Sequence, residues 1–171
     1  MICILEGENK TGKSTLAHYI EEHHGFRYIK VSQPGPEGPY KEYTVILSSI
    51  KKGENVVIDR FHIGEEVYGP IYRGKSGLTS EQFQEIEKKI NDLNGILIYC
   101  YDTEDNIAKR FDEEGEEFAD KDKIKKTLEL YASAIKKSNL IKYKHRMKGR
   151  MDLIKTNQIE KIIKKYLFIE N

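Results

Sequence analysis

Gly7-Glu8-Asn9-Lys10-Thr11-Gly12-Lys13-Ser14, followed by Thr15, fits the pattern G-x-x-x-x-G-K-[ST]. Its flanks give the pattern meaning. Met1-Ile2-Cys3-Ile4-Leu5 is a short apolar run, as a buried parallel strand requires. After Lys13 the apolar positions Leu16, Ala17 and Ile20 recur at helical spacing. A glycine-rich loop between a strand and a helix aims its N–H groups and the helix N-terminus at one point, which makes an anion site. Gly7 and Gly12 allow backbone conformations that a Cβ disfavours. Lys13 is expected at the β- and γ-phosphates of a nucleotide, and the Ser14 hydroxyl on Mg²⁺. Glu8, Asn9, Lys10, Thr11 and Thr15 complete the loop expected to wrap those phosphates.

The remaining chain alternates strands and helices. Phe26–Val31, Val56–Asp59, Ile96–Tyr101 and Met151–Lys155 read as the second to fifth strands. Gln33 to Pro39 holds three of the four prolines and is a loop. Tyr40–Ile50 reads as a helix with Tyr43, Ile46, Leu47 and Ile50 on one face. Ile63–Ile71 is helical in part and ends near Pro70; Arg73 to Gly77 is a loop. Thr79 with Gln82 forms a capping box for a helix that runs to about Leu93. Further helices are expected from Thr103 to Arg110, Ile124 to Ser138 and Gln158 to Leu167. Leu140–Arg150 is basic and yields no assignment. Asp112–Lys123, which includes the run Glu113-Glu114-Gly115-Glu116-Glu117, is charged and almost without apolar residues, so a short lid is expected at about 111–122. Continuous apolar strands between helices imply an α/β fold: a five-stranded parallel sheet covered on both faces, as one domain over residues 1–171.

Composition narrows the function classes. Lys+Arg is 29 and Asp+Glu is 28, so a net charge of +1 gives no argument for nucleic acid or an acidic membrane. No apolar run approaches the length of a membrane span, and an N-terminus that enters a strand at once predicts no secretory leader. Cys3 and Cys100 fall in buried strands without zinc-ligand spacing, which favours a reduced, cytoplasmic setting.

In open parallel sheets ligands bind at the carboxyl ends of the strands. Gly7, Asp59 and Asp102 all fall there, so they can share one crevice. Asp59 can hold Mg²⁺ opposite Ser14 or accept a proton from an attacking oxygen; a capping carboxylate is the plain alternative. Arg60 can grip an acceptor phosphate bidentately. Arg110, at the start of the charged excursion, can close over the transferring phosphoryl, with Lys10 adding charge from the loop. Arg73, Phe61, Tyr68, Tyr72 and Tyr40 are placed near the acceptor side, where aromatics stack on a base or simply wall the pocket. His62 is assigned a structural or acceptor-contact role, because phosphoryl transfer rests on positioning and electrostatics.

These residues resemble the thymidylate kinase family of nucleoside monophosphate kinases, especially its short virus-encoded members. Ile4-Leu5-Glu6-Gly7 through Thr15 is similar to the family's opening, and Asp59-Arg60-Phe61-His62 to its Asp-Arg-aromatic motif. Val67-Tyr68-Gly69-Pro70-Ile71-Tyr72-Arg73-Gly74 looks like the viral form of the segment that follows. The resemblance implies a three-layer P-loop kinase fold and transfer of the ATP γ-phosphoryl to a deoxynucleoside monophosphate, with Mg²⁺ as cofactor. It places Arg60 on the acceptor phosphate and Lys10 where some members carry a P-loop arginine. The chain departs at Asn9, where the family has an acid on the acceptor sugar. It departs again at Ser32-Gln33-Pro34-Gly35, where many members read Arg-Glu-Pro-Gly, and in its acidic lid. A deoxynucleoside kinase is the second reading; a non-catalytic ATP-binding module and a polynucleotide kinase follow. Small-molecule nucleotides are the expected partners, with no stable nucleic-acid or membrane partner and a homodimer left open.

Overall fold

The computed structural model describes residues 1–32, 34–113, 121–146 and 157–167. Five parallel strands form one sheet in the order β2-β3-β1-β4-β5. They are β1 (Ile2–Glu6), β2 (Arg27–Lys30), β3 (Val56–Asp59), β4 (Gly95–Cys100) and β5 (Ile141–His145). The three central strands β3, β1 and β4 are buried at every residue, which explains their unbroken apolar runs.

Strand alternation sorts these residues into two cores. On one face Ile2, Ile4, Val56, Ile58 and Leu97 pack against α2 (Pro39–Ser48), α3 (His62–Arg73), α4 (Ser80–Asp92) and α6 (Lys121–Lys137). On the other, Cys3, Leu5, Val57, Ile96 and Ile98 pack against α1 (Lys13–His24) and α7 (Asn157–Leu167). A smaller cluster of Ile107, Ala108 and Ile124 joins α5 (Glu104–Glu113) to α6. The expected α/β architecture, a parallel sheet between two helical layers, is therefore what the chain adopts. The Thr79 capping box is present, with Gln82 N–H donating to Thr79 Oγ1 at 3.2 Å and Thr79 N–H to Gln82 Oε1 at 3.0 Å.

Two expectations are revised, and a third extends outside the described residues. The fifth strand is Ile141–His145, inside the basic stretch that yields no assignment from sequence; Met151–Lys155 lies outside the described residues. β5 is an edge strand, and its exposed Lys142 and Lys144 are what an edge tolerates, so no continuous apolar run marks it. Helix α3 starts at His62 and continues past Pro70 to Arg73, closed by Gly74 at φ 75°. Pro70 sits in the last turn, where α3 runs only to Arg73. The expected lid is entered by helix from both sides, through Glu113 and from Lys121; residues 114–120 lie outside the described set.

Candidate active site

The loop Gly7–Gly12 connects β1 to α1 beneath the carboxyl edge of the sheet. Gly7 has φ 145°, and a Cβ there would lie 1.9 Å from the Cys100 carbonyl oxygen at the end of β4, so only glycine fits. Gly12, at φ 83°, supplies the left-handed N-cap of α1. The Glu8 carbonyl accepts hydrogen bonds from Thr11 Oγ1 at 2.6 Å and Lys13 Nζ at 2.7 Å. The Lys13 side chain is therefore folded into the loop, and burial pushes its pKa below the usual ammonium value. A cation desolvated in this way is poised to gain from an incoming phosphate.

Ser14 opens α1 and meets Asp59 at the end of β3. Ser14 Oγ donates to Asp59 Oδ2 at 2.6 Å, and the Tyr28 hydroxyl donates to the same oxygen at 3.2 Å. Tyr28 is pushed up to about 12, by burial first and the Asp59 charge second. Asp59 is fully buried and its Oδ1 has no hydrogen-bond partner among the described residues. A hydroxyl beside a carboxylate with one unfilled oxygen is a hard-oxygen donor set, so these residues fit Mg²⁺. No group of three or more His, Cys, Asp or Glu side chains that could hold a metal ion occurs among the described residues.

Arg60 follows Asp59 with φ 68°, a conformation rare for a side-chain-bearing residue and often found at functional sites. Its N–H donates to Leu5 O at 3.0 Å, and its guanidinium donates to Asn9 Oδ1 in the P-loop at 2.5 Å. Beneath it the buried Glu6 carboxylate accepts from the N–H groups of Phe61 at 2.8 Å and Gly64 at 3.1 Å, at the start of α3. The other oxygen, Oε2, has no hydrogen-bond partner among the described residues, and burial raises the Glu6 pKa above its ordinary value.

Arg60 and Asn9 line a cavity of about 400 Å³ together with Phe61, Glu65, Tyr68 and Arg73. Tyr68 donates to Glu8 Oε1 at 2.9 Å, an oxygen that also accepts the Asn9 N–H at 2.6 Å, which ties α3 to the P-loop. Arg73 is paired with Glu65. Tyr68 and Tyr72 also line a second cavity, of about 600 Å³, together with Phe111, Lys123 and Lys126. Two residues assigned to the acceptor side stand elsewhere. His62 is buried beneath α4, with Nε2 3.1 Å from Glu87 Oε1 and its ring 5.0 Å from Phe83. Tyr40 donates to Glu85 Oε2 at 2.6 Å, outside the residues that line the cavity.

Arg110, near the end of α5, reaches back to the P-loop. It donates to the Lys10 carbonyl at 2.7 Å and to Asp102 Oδ2 at 2.5 Å. Asp102 Oδ1 accepts from Thr103 N–H, Asn106 Nδ2 and Arg146 Nε, each at 2.8 Å. Burial alone would raise the Asp102 pKa; the donors outweigh it and hold the carboxyl below its usual value. Lys10 has φ 61°, and its ammonium lies 5.3 Å from the centre of the Phe111 ring. Thus Lys10, Lys13, Ser14, Asp59, Arg60 and Arg110 do converge on one crevice. Glu6, Tyr28, Glu65 and Arg146 join it without having been picked from sequence. Phe61, Glu65, Tyr68 and Tyr72 share the i, i+4, i+7, i+11 spacing of one helix face, a signal that identifies Glu65 and leaves His62 out.

No family model matches the chain. It is 28% identical over 147 residues to the SPbeta prophage-derived uncharacterized protein YorR of Bacillus subtilis (strain 168), covering 83% of this chain and 86% of that protein. The crystal structure of YorR in complex with phosphorylated GDP superposes with a TM-score of 0.83 at 26% identity, over 97% of this chain and 98% of that one. A deoxyadenosine kinase from M. mycoides with the products dCMP and dCDP gives a TM-score of 0.59 at 19% identity, over 99% and 100% of the two chains. A gluconokinase from Sinorhizobium meliloti 1021 gives 0.59 at 10% identity, over 99% and 97%. The chain has the fold of the P-loop kinases.

Proposed function

We propose that this chain transfers the γ-phosphoryl group of ATP to the 5′-phosphate of a deoxynucleoside monophosphate, releasing ADP and the deoxynucleoside diphosphate. The observation that carries the reading is Arg60: a guanidinium held by a strained backbone and by Asn9 of the P-loop, in the wall of the acceptor cavity. The nucleotide in the YorR complex supports a nucleotide in the cleft of this chain as well.

In this reading the loop of Gly7–Ser14 cradles the donor phosphates, with the Lys13 ammonium leaving the Glu8 carbonyl for the β- and γ-phosphates. Arg60 presents the acceptor phosphate. An acceptor oxygen forms a bond to the γ-phosphorus as the bond to the β,γ-bridging oxygen breaks, and ADP carries away the electron pair. The monophosphate dianion has no proton to lose near neutral pH, because its second pKa is near 6. Asp59 is therefore assigned to Mg²⁺ with Ser14, where the ion supplies charge neutralisation across the phosphates. Arg110 and Lys10 approach from the lid side and offset the charge that spreads over the transferring group.

A deoxynucleoside kinase is favoured by one observation. Ser32 stands in the cavity wall where a second phosphate-binding arginine is expected, and Arg73 is engaged by Glu65. Incubation of the protein with ATP, Mg²⁺ and a panel of deoxynucleosides, their 5′-monophosphates and oligonucleotides, with chromatographic separation, decides between the two. Diphosphates formed from monophosphates are the expected products. Monophosphates formed from nucleosides, with every monophosphate inert, would overturn the reading.

A further inference from the structure

The acceptor cavity is lined in part by a charged pair that the proposed phosphoryl transfer does not use. Glu65 and Arg73 are both on α3, and both line the cavity. The Glu65 side chain is almost wholly buried. Its Oε1 is engaged by the Arg73 guanidinium and by the Gly77 N–H at 2.7 Å. No hydrogen bond to its Oε2 is made among the described residues, and that oxygen is not one of the buried unsatisfied atoms, so it keeps lone pairs that a donor on a ligand can fill. Arg73 spends one N–H arm on Glu65 and keeps donors in its fixed planar fork. It is partly exposed. Val31, Pro34 and Phe61 supply apolar wall to the same cavity that Arg60 lines. The cavity thus combines a cation for a phosphate, apolar surface for a flat base, and donors beside an open acceptor.

We infer that Glu65 and Arg73 read the nucleobase of the acceptor, and that the base they select is guanine. The inference rests on the acceptor-site reading above. The pair presents donors next to an acceptor with two open lone pairs. Its complement is an edge with acceptors followed by two adjacent donors. Guanine has that order: N7, O6, N1–H and N2–H₂. Arginine on N7 and O6 is the familiar guanine contact. Both N–H donors then converge on the Glu65 carboxylate and fill its open positions. Adenine offers one amino donor between two ring acceptors, cytosine one amino donor beside a single ring acceptor, and thymine one N–H between two carbonyls. Each leaves a carboxylate lone pair unfilled, and a site built to hydrogen-bond a group rejects analogues without it.

The test uses the whole protein and varies the ligand before the residue. Binding by calorimetry and kcat/KM with ATP–Mg²⁺ are measured for dGMP, dAMP, dCMP and dTMP. The same is done for dIMP, which lacks the 2-amino group, and 7-deaza-dGMP, which lacks N7. Deoxyguanosine and deoxyadenosine are included as nucleosides. The expected result is a preference for dGMP of at least about ten-fold over each other base, with dIMP weakened by about ten-fold or more. Glu65→Gln keeps an acceptor for the Gly77 N–H but loses the charge, and it should erase most of the preference for dGMP over dIMP. Equal affinity for dGMP and dIMP, or a Glu65→Gln protein that keeps the wild-type preference, would overturn the inference. If deoxyguanosine reacts, dGMP does not, and Glu65 still governs the base, the base-reading inference stands and the monophosphate reading falls. If monophosphates react without regard to base, the reverse holds.

Discussion

Ser14 and Asp59, forty-five residues apart in sequence, are joined by a 2.6 Å hydrogen bond from the Ser14 hydroxyl to Asp59 Oδ2. The contact links the first turn of α1 to the end of β3 and leaves Asp59 Oδ1 unfilled. In the proposed reading the Ser14 hydroxyl and the Asp59 carboxylate would hold Mg²⁺, which would supply charge neutralisation to the donor phosphates.

Asp59→Asn removes the charge and keeps the shape. It should lower kcat at saturating Mg²⁺ by about a hundred-fold or more, since several kcal/mol of charge stabilisation are at stake. Folding should survive, as an amide oxygen can still accept from Ser14 and Tyr28. Steady-state kinetics with a Mg²⁺ titration checks this; an unchanged kcat would reduce Asp59 to a cap.

Glu6 should destabilise the fold as it ionises. Its pKa in the fold is raised above the ordinary 4.5 by burial. Between 4.5 and that raised value the folded state binds more protons than the unfolded chain, so stability falls as pH rises. Glu6→Gln keeps an oxygen for the Phe61 and Gly64 N–H groups and removes the titration. The Tm difference, variant minus wild type, should therefore grow from pH 4 upward. A difference that stays constant with pH would contradict the account.

Asp102 should behave with the opposite sign. Its carboxyl is held below the ordinary 3.8, so its contribution is present above that value and lost as pH falls through the depressed pKa. Asp102→Asn should cost about 1–3 kcal/mol near neutral pH, the usual range for stranding a buried hydrogen-bonding partner, and progressively less as pH falls through the depressed value. Because Arg110 bridges Asp102 to the Lys10 carbonyl, the KM for ATP should rise as well. Denaturant melts across pH, paired with ATP titrations, measure both.

The parts of this site that could be read in the sequence are those fixed by local geometry. The P-loop, the strand before it and the Thr79 cap depend on neighbours a few residues away, and spacing alone reveals them. Asp59 and Asp102 were placed by a rule of the fold, that parallel strands present their carboxyl ends to ligands. Partners made by the sheet left no local signal. Tyr28 reaches Asp59 only because β2 lies beside β3, and Arg146 reaches Asp102 only because β5 pairs with β4. His62 looked like a site residue because it follows Arg60 closely. One hundred degrees of helix per residue turns it away from the cavity and against Glu87.

The most direct test of the account is Arg60→Ala, assayed with a deoxynucleoside and its own 5′-monophosphate. If Arg60 holds the acceptor phosphate, the variant loses charge-assisted bonds worth about 1.5–3 kcal/mol each. The kcat/KM for the monophosphate should then fall roughly ten- to a few hundred-fold, with a smaller change in the KM for ATP. Arg60→Lys should restore only part of it, because a point charge cannot reproduce the planar fork. A monophosphate kcat/KM that survives Arg60→Ala unchanged, or a wild-type protein that phosphorylates the nucleoside and ignores the monophosphate, would contradict the account.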